Sequence, residues 1–269
     1  MKKFLSIKEF SRFSNIAIST LRYWDEIGLF SPAKRNPSNN YRYYSPEQLI
    51  KVNFITVLSN LNIPLKTIKD IEDDRTPENI TQLIEQKEKA LDIGMYELRQ
   101  RYSIIHTRRD LINNGKQAAS ENIDEISIMH LEDTSIIIGP RDDSNDDEFY
   151  ESFVRFCEQA KSLRINLNFP IGGLHDSWDS FQKIPGSPHN FFSVDPTGND
   201  KQPAGDYVVG FKRGYYGQFD DLPGRMAKFI SDNSLSVTGP VYVVYLHDEI
   251  CVRDPSQYLA RVCVAVSGQ

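Results

Sequence analysis

Large apolar residues recur at every seventh position between residues 77 and 112. They are Ile84, Leu91, Leu98, Ile105 and Ile112. Met95 and Tyr102 widen this face and charged residues surround it, which predicts one long helix with a coiled-coil seam. An amphipathic helix that packs on its own domain would have a similar face, but the length of this stretch favours pairing of two helices. The seam is therefore predicted to mediate dimerisation.

Charge is distributed unevenly along the 269 residues. Residues 1–70 have a net charge of +6, residues 71–119 of −1 and residues 120–269 of −11. A basic head on an acidic body predicts that only the head binds a polyanion. The chain has no apolar run long enough for a membrane span or a signal peptide, so we expect a cytoplasmic protein without a membrane partner.

The three cysteines, Cys157, Cys251 and Cys263, are widely spaced and lie among apolar residues. Their odd number and the lack of a CxxC pair argue against a disulfide framework or a structural zinc site. We expect each of them to be a buried, small apolar residue. Neither a metal nor another cofactor is predicted.

Two short helical patterns near the start of the chain resemble a helix-turn-helix. Ser6 and Glu9 have the spacing of a capping box, which predicts a helix that begins after Ser6. A second helix is predicted over residues 17–27, with Gly28 as its C-cap. A polar and basic outer face of this kind can enter the major groove of DNA. Its members are Ser19, Thr20, Arg22 and Tyr23.

The next segment, PAKRNPSNNYRYY at residues 32–44, is basic and aromatic. Its composition favours a β-ribbon over a helix. Lys34, Tyr41 and Arg42 are candidates for DNA contacts, and at least one of the three tyrosines is expected in the core. A new helix is predicted to begin at Ser45-Pro46, and Lys66 lies at the start of a further helix that can bind phosphate.

The segments SIKEFSRFSNIAISTLRYWDEIGLF, NNYRYYSPEQL and LNIPLKTIKDI together resemble the winged helix-turn-helix of the MerR family of transcription regulators. The resemblance implies a homodimer, joined by an antiparallel coiled coil, that distorts double-stranded promoter DNA so that RNA polymerase can engage. By position, Arg22 and Tyr23 would contact the backbone and central bases, and Arg42 and Lys66 would hold phosphates. Metal-sensing members bind metal through cysteines near the long helix, whereas this chain has none before Cys157.

The acidic part of the chain shows two passes of strand, helix, strand and strand, which predicts a duplicated β-α-β-β domain. A polar linker, INNGKQAASENID, is predicted to follow the long helix. His175, Asp176 and Asp179 form the segment HDSWD, which we interpret as a solvated turn. No GxSxG, HExxH or glycine-rich phosphate loop accompanies it, so no catalytic residues and no enzyme are predicted.

The segments AGDYVVGFKRGYYGQFDDLPGRM and GPVYVVYLHDEICVRDPSQYLARVCVAV resemble the GyrI-like effector domain of BmrR-type multidrug regulators. The resemblance implies an aromatic pocket with a buried carboxylate that binds lipophilic cations. By position, Glu249 is the first candidate for that carboxylate and Asp248 the second. A salt bridge from Glu249 to Arg253 or Arg261, or simple exposure, is the alternative. Candidate pocket walls, each of which could instead be ordinary core, are Phe149, Tyr150, Trp178, Tyr207, Tyr215, Tyr242 and Tyr258.

The predicted fold is therefore multi-domain, α and α+β. A winged helix-turn-helix domain is predicted at residues 1–76, a dimerisation helix with its linker at 77–119, and a GyrI-like ligand-binding domain at 120–269. The predicted function is a DNA-binding regulator that activates transcription when a lipophilic or cationic compound binds. The alternative is a small-molecule-sequestering or hydrolytic protein whose N-terminal domain is an interaction module.

Overall fold

The chain divides into two compact units, Met1–Glu97 and Leu98–Gln269. The computed structural model describes residues 3–120, 122–142 and 149–268. No helix among the described residues combines the length and the apolar character that a membrane crossing requires.

The first unit begins with strand β1 (Leu5–Ser6) and helices α1 (Ile7–Ser14) and α2 (Ile18–Glu26). The predicted capping box is confirmed, because the Glu9 amide donates to Ser6 Oγ at 3.3 Å and the Ser6 amide donates to Glu9 Oε2 at 2.9 Å. Two backbone amides at the start of α1, which have no partner within the helix, thereby gain side-chain acceptors. Gly28 ends the second helix with a φ of 69°, the left-handed conformation that favours glycine.

The predicted β-ribbon is confirmed as strands β2 (Lys34–Arg35) and β3 (Arg42–Tyr44), which join β1 in the order β1-β3-β2. Tyr44 is the predicted core tyrosine and is fully buried. Its ring stacks on Phe10 at 4.6 Å and on Phe30 at 5.6 Å between centroids. Burial also raises the pKa of the Tyr44 hydroxyl. The β-ribbon of β2 and β3, called the wing from here on, is thus anchored on the helical core by aromatic packing.

Helices α3 (Gln48–Asn60) and α4 (Leu65–Asp73) complete the small domain. The predicted helix start at Ser45-Pro46 is wrong, because residues 45–47 lie outside the helix. The side chain of Gln48 instead accepts hydrogen bonds from the amides of Ser45, at 3.0 Å, and Ala33, at 3.2 Å. These bonds tie the segments before β2 and after β3 to the start of α3.

Helix α5 spans Pro77–Ser120, or 44 residues. The predicted linker is wrong over residues 113–120, which continue the helix. Gly115 and Ala118 are buried in this last part. At Gly115 a Cβ atom would lie 2.5 Å from the Nε2 of His247, so a larger residue here would displace the imidazole. His247 Nε2 also lies 3.2 Å from the carbonyl oxygen of Ile112.

The second unit is built on an antiparallel sheet of eight strands in the order β4-β9-β11-β10-β6-β7-β5-β8. The order β9-β11-β10 on one side is mirrored by β5-β7-β6 on the other, and β10 pairs with β6 between them. The predicted two passes are therefore β5-α6-β6-β7 and β9-α8-β10-β11. The elements are β4 (Ser127–Leu131), β5 (Thr134–Arg141), α6 (Phe149–Ser162), β6 (Ile171–His175), α7 (Trp178–Lys183), β7 (Asn190–Ser193), β8 (Asp200–Gln202), β9 (Gly205–Arg213), α8 (Leu222–Asp232), β10 (Ser236–His247) and β11 (Leu259–Ser267).

The two faces of the sheet carry separate cores. Val243 and Tyr245 of β10 pack on one face with residues of α7 and α8, whereas Tyr242 and Val244 pack on the other face, where Leu111 of α5 joins them. This alternation is what a strand imposes on successive side chains. It decides which aromatic residues can reach any one cavity.

Two local predictions in this unit are wrong. HDSWD is not a solvated turn, because His175 ends strand β6 with 1% exposure and Ser177 caps helix α7 by accepting a hydrogen bond from the Ser180 amide. Cys251 is exposed, while Cys157 is half-buried and Cys263 is buried as expected. The apolar neighbours of Cys251 in sequence do not bury it, because it lies in the turn after β10.

Candidate functional site

The outer face of α2 carries the side chains that the sequence predicts to bind DNA. Ser19, Arg22 and Tyr23 are exposed, and Thr20 is half-buried. The opposite face of the helix buries Leu21 and Trp24 in the core. The outer face of α2 is therefore polar, basic and accessible, as a helix face must be to contact bases in a groove. Lys66 is also exposed, in the first turn of α4.

In the wing, Lys34 and Tyr41 are exposed, but Arg42 has a protein partner. The Nε of Arg42 and a terminal nitrogen of Arg35 each donate to the same oxygen of Asp25, both at 2.6 Å. The Asp25 side chain is only 2% exposed. Arg42 thus holds the ribbon against α2, which is a different task from the phosphate contact expected of it.

Sequence reasoning missed Asp25 and Arg35. Asp25 directly follows the buried Trp24 and lies four residues after the buried Leu21, so its helical position places it on the inner side of α2. A carboxylate on a buried face requires a cationic or hydrogen-bonding partner. That signal was present in the sequence, and the basic segment that follows contained the partners.

The second unit has an aromatic cavity with a volume of about 180 Å³. Helix α6, strands β6 and β10, the segment 214–219 and the turn after β10 form its walls, and Arg108 of α5 reaches its edge. Its aromatic lining consists of Phe149, Tyr150, Phe153, Phe169, Phe191, Tyr216, Phe219 and Tyr245. Such a lining favours flat apolar or cationic ligands.

Tyr216 lies at the centre of this aromatic cluster. Its ring stacks on Phe149 at 5.3 Å and meets the edge of Tyr245 at 4.4 Å. Its hydroxyl donates a hydrogen bond to Glu249 Oε2. Burial, and next the bond to the Glu249 carboxylate, raise the pKa of Tyr216 far above its ordinary value, so this hydroxyl stays protonated.

The two adjacent carboxylates of the cavity differ in their partners. Asp248 forms an ion pair with Arg108 at 3.0 Å, and the two side chains are 15% and 20% exposed. Glu249 accepts the hydrogen bond of Tyr216 and has no ion pair with Arg253, Arg261 or another cation among the described residues. The carboxylate of the pocket was expected to be buried. Glu249 is instead exposed at the mouth of the cavity, because it lies in the turn after β10.

Among the described lining residues, His175 is the remaining ionisable group besides the tyrosines. Burial, and next the neighbouring His189, lower the pKa of His175 to about 3. The imidazole is therefore neutral near pH 7 and adds no charge to the cavity. Phe181 packs against it edge-on, with 5.0 Å between ring centroids.

Of the predicted aromatic walls, the structure brings Phe149 and Tyr150 to the cavity and leaves the others outside its lining. Tyr207 and Tyr242 point to the opposite face of the sheet, because strand alternation places them there. Trp178 packs on Phe181, and Tyr215 is 46% exposed. Tyr258 lies behind Tyr216, with ring centroids 5.1 Å apart.

Sequence reasoning missed most of the lining. Phe153 follows Phe149 by one helical turn, so it could have been found from periodicity. Tyr245 shares a face of β10 with Val243, but alternation alone does not tell which face of the strand lines the cavity. Tyr216 lies outside regular structure, between β9 and α8, where no periodicity applies. Arg108 lies 140 residues from its partner Asp248, and no local pattern connects them.

Four of the five seam residues of α5 are exposed. Ile84, Leu91, Leu98 and Ile105 are 44%, 53%, 67% and 65% exposed. Ile112 is half-buried, at the place where His247 meets the helix. Large apolar side chains repeated along one exposed helix are typical of an interface.

Comparison with known proteins adds an independent finding. Residues 5–75 match the family described as MerR HTH family regulatory protein. The multidrug-efflux transporter 1 regulator of Bacillus subtilis (strain 168) is 30% identical over 291 residues, which cover 99% of this chain and 99% of that protein. The multidrug-efflux transporter 2 regulator of the same organism is 26% identical over 272 residues, which cover 99% and 97%. A cryo-EM structure of an EcmrR–DNA complex is 18% identical, covers 98% of this chain and 100% of that chain, and has a TM-score of 0.41.

Proposed function

The chain belongs to the MerR family of helix-turn-helix regulatory proteins, and on that premise we propose that it is a ligand-responsive activator of transcription. In this proposal a homodimer binds double-stranded promoter DNA in the cytoplasm, and a lipophilic cation in the aromatic cavity changes how that DNA is held for RNA polymerase. Both full-length relatives carry names of multidrug-efflux regulators, which supports a drug-like ligand. The observation that carries the proposal is Glu249, a carboxylate at the mouth of an aromatic cavity that forms no ion pair with any cation in the described part of the chain.

We propose that DNA is read by the exposed face of α2. Arg22 and Tyr23 would reach the groove and the backbone, with Ser19 and Thr20 beside them, and Lys34, Tyr41 and Lys66 would contact the flanking backbone. Arg42 would contribute through its terminal nitrogens, while its Nε remains on Asp25. The net charge of +6 over residues 1–70 supports this assignment.

We propose that α5 pairs with α5 of a second copy through Ile84, Leu91, Leu98 and Ile105. Leaving four such side chains in water is unfavourable, and their mutual burial would stabilise the dimer by about 1.5–3 kcal/mol for each fully buried side chain. A two-fold dimer would present two heads to a two-fold operator.

The ligand would lie against the aromatic rings with its positive charge toward Glu249. Tyr216 and Phe149 offer π-faces that attract a cation, and Glu249 supplies the opposite charge. A bound cation can change transcription only by the difference in its affinity for the two states of the protein on DNA. We infer that the turn after β10 (residues 248–254) and Arg108 of α5 contribute to this difference in affinity, because Asp248 and Arg108 form an ion pair at the cavity.

The DNA part of this proposal is tested with the chain's own upstream promoter. Purified protein should shift that DNA in a gel, and tetraphenylphosphonium should raise transcription by RNA polymerase from it. Arg22→Ala should abolish the shift and leave ligand affinity intact. An unchanged transcriptional response in Arg22→Ala would favour the rival function, a sequestering or hydrolytic protein that does not act on DNA.

The ligand part is tested by Glu249→Gln in DNA-free protein. Ethidium, a cation, should bind about five- to tenfold more weakly, because an exposed carboxylate contributes a screened attraction. Neutral phenanthridine should be unaffected. Glu158→Gln is the matched control, since Glu158 is exposed on α6 outside the cavity lining. Equal losses for both compounds would reject Glu249 as the cation selector.

A further inference from the structure

The charges in the cavity lining follow a simple balance. Arg108 is the one cation of the described lining, and Asp248 and Glu249 are its two carboxylates. Their formal charges give a net −1. The lowered pKa of His175 keeps its imidazole neutral near pH 7, and the raised pKa of Tyr216 keeps its hydroxyl protonated. The described part of the lining therefore presents a single uncompensated negative charge to a ligand.

The balance depends on the pair between Arg108 and Asp248. One Arg108 nitrogen lies 3.0 Å from Asp248 Oδ2, and the Arg108 Nε donates to the carbonyl of Asn168 at 3.0 Å. The other oxygen of Asp248 accepts the amide of Ile250 at 3.0 Å. Both partners are thus held in place by further hydrogen bonds. Because both side chains are mostly buried, the pair is poorly screened by solvent.

We propose that this ion pair makes the cavity selective for monovalent cations, with Arg108 as the specificity-determining residue. The proposal rests on the proposed function and specifies the charge of its ligand. One positive charge is matched by Glu249. A second positive charge would have to leave water beside the guanidinium of Arg108, and Asp248 is already neutralised.

A purely structural role for the pair would have different consequences. If Arg108 only fastened α5 to the turn after β10, its loss would weaken all ligands alike. If it sets the charge of the cavity, its loss would expose Asp248 as a second free carboxylate and favour divalent ligands. The ratio of two affinities therefore separates the two roles.

The experiment uses ethidium and propidium, which share a ring system and carry one and two positive charges. Dissociation constants are measured by fluorescence with the full-length, DNA-free protein. Wild type should bind ethidium more tightly. In Arg108→Gln the propidium-to-ethidium affinity ratio should rise about tenfold, because one unit charge in a partly buried site changes an affinity by at least that factor. The larger size of propidium cancels when ratios are compared between variants.

Two further variants complete the test. The double variant Arg108→Gln/Asp248→Asn has the wild-type net charge without the ion pair, so its ratio should return to within about twofold of wild type. Lys116→Gln is the control for charge alone, because Lys116 is exposed on α5 outside the cavity lining. Its ratio should equal that of wild type.

The outcomes distinguish this inference from the proposed function. An unchanged ratio in Arg108→Gln, or a double variant that keeps the ratio of Arg108→Gln, would overturn the inference while cation binding stands. A wild-type protein that binds neither dye would overturn the proposed ligand class, and the inference with it. A ratio that rises in the single variant and returns in the double variant supports the charge balance.

Discussion

The Asp25→Asn substitution tests whether the wing is oriented by a buried carboxylate. Asp25 accepts hydrogen bonds from Arg35 and Arg42 on one oxygen, both at 2.6 Å, and these are contacts between α2 and both strands of the wing. The side-chain amide retains one oxygen and loses the charge. We expect the wing to lose its fixed position relative to α2.

The size of the effect follows from the contacts. A hydrogen bond to a charged group contributes about 1.5–3 kcal/mol to stability. Arg35 and Arg42 are 40% and 23% exposed, so water compensates part of their loss. We therefore expect the free energy of unfolding to fall by about 2 kcal/mol in total, well below the sum of two full bonds.

The sign of the DNA effect discriminates between orientation and charge. Removing a negative charge from the basic head should by itself strengthen phosphate binding. Glu26→Gln makes that same change at the neighbouring, exposed residue and should bind operator DNA as tightly as wild type or more tightly. Asp25→Asn should bind about tenfold more weakly, because the wing is no longer preorganised.

Urea unfolding and fluorescence anisotropy with operator DNA measure both quantities at one salt concentration. Loss of affinity in Asp25→Asn under conditions where the variant is fully folded supports the orienting role. If Asp25→Asn binds DNA as tightly as Glu26→Gln, the ion pairs do not orient the wing and the reasoning is refuted.

Three further predictions concern the seam, the DNA contacts and the buried imidazole. Leu98→Glu should shift the protein toward monomer in sedimentation, whereas Tyr96→Glu, on an exposed position outside the heptad series, should not. Lys66→Gln should weaken binding to all DNA sequences alike and lower the magnitude of the slope of log affinity against log salt by about 1.8 per dimer, about 0.9 for each of the two copies of Lys66. His175 has a pKa lowered to about 3, so the unfolded chain takes up its proton first and acidification below pH 6.5 destabilises the folded state. Urea unfolding of His175→Gln should therefore show a fall in unfolding free energy between pH 6 and pH 4 that is about 1 kcal/mol per pH unit smaller than in wild type.

Some features of the sites were predictable because they depend on spacing along one helix. Leu21 and Trp24 lie three residues apart on the buried face of α2, so the helical period of about 3.6 residues places Arg22 and Tyr23 on the outer face. The exposed heptad positions of α5 follow from the same rule. Phe149 was recognised in advance, and Phe153 could have been, since the two are one turn apart on α6.

Other features depended on which face of the sheet a residue occupies. Tyr242 and Tyr245 lie in one strand and look equivalent in sequence, yet only Tyr245 lines the cavity. A shift of one residue reverses the face of every side chain in a strand, so sequence alone could not select between them. The predicted end of α5 was too early because glycine is typical of helix ends. In the structure Gly115 lies inside the helix, where the His247 side chain packs against it.

The sequence by itself determined three features, because each depends on residues a few positions apart. They are the capping box of α1, the outer face of α2 and the heptad series of α5. Only the tertiary structure decided which of two adjacent acids has a cationic partner among the described residues. Asp248 is neutralised by Arg108, 140 residues away, and Glu249 is bonded by a tyrosine from an irregular segment. The same holds for Asp25, whose two arginines reach it only when the ribbon folds back on α2. Electrostatic partners are chosen by distance in space, and a single sequence does not contain those distances.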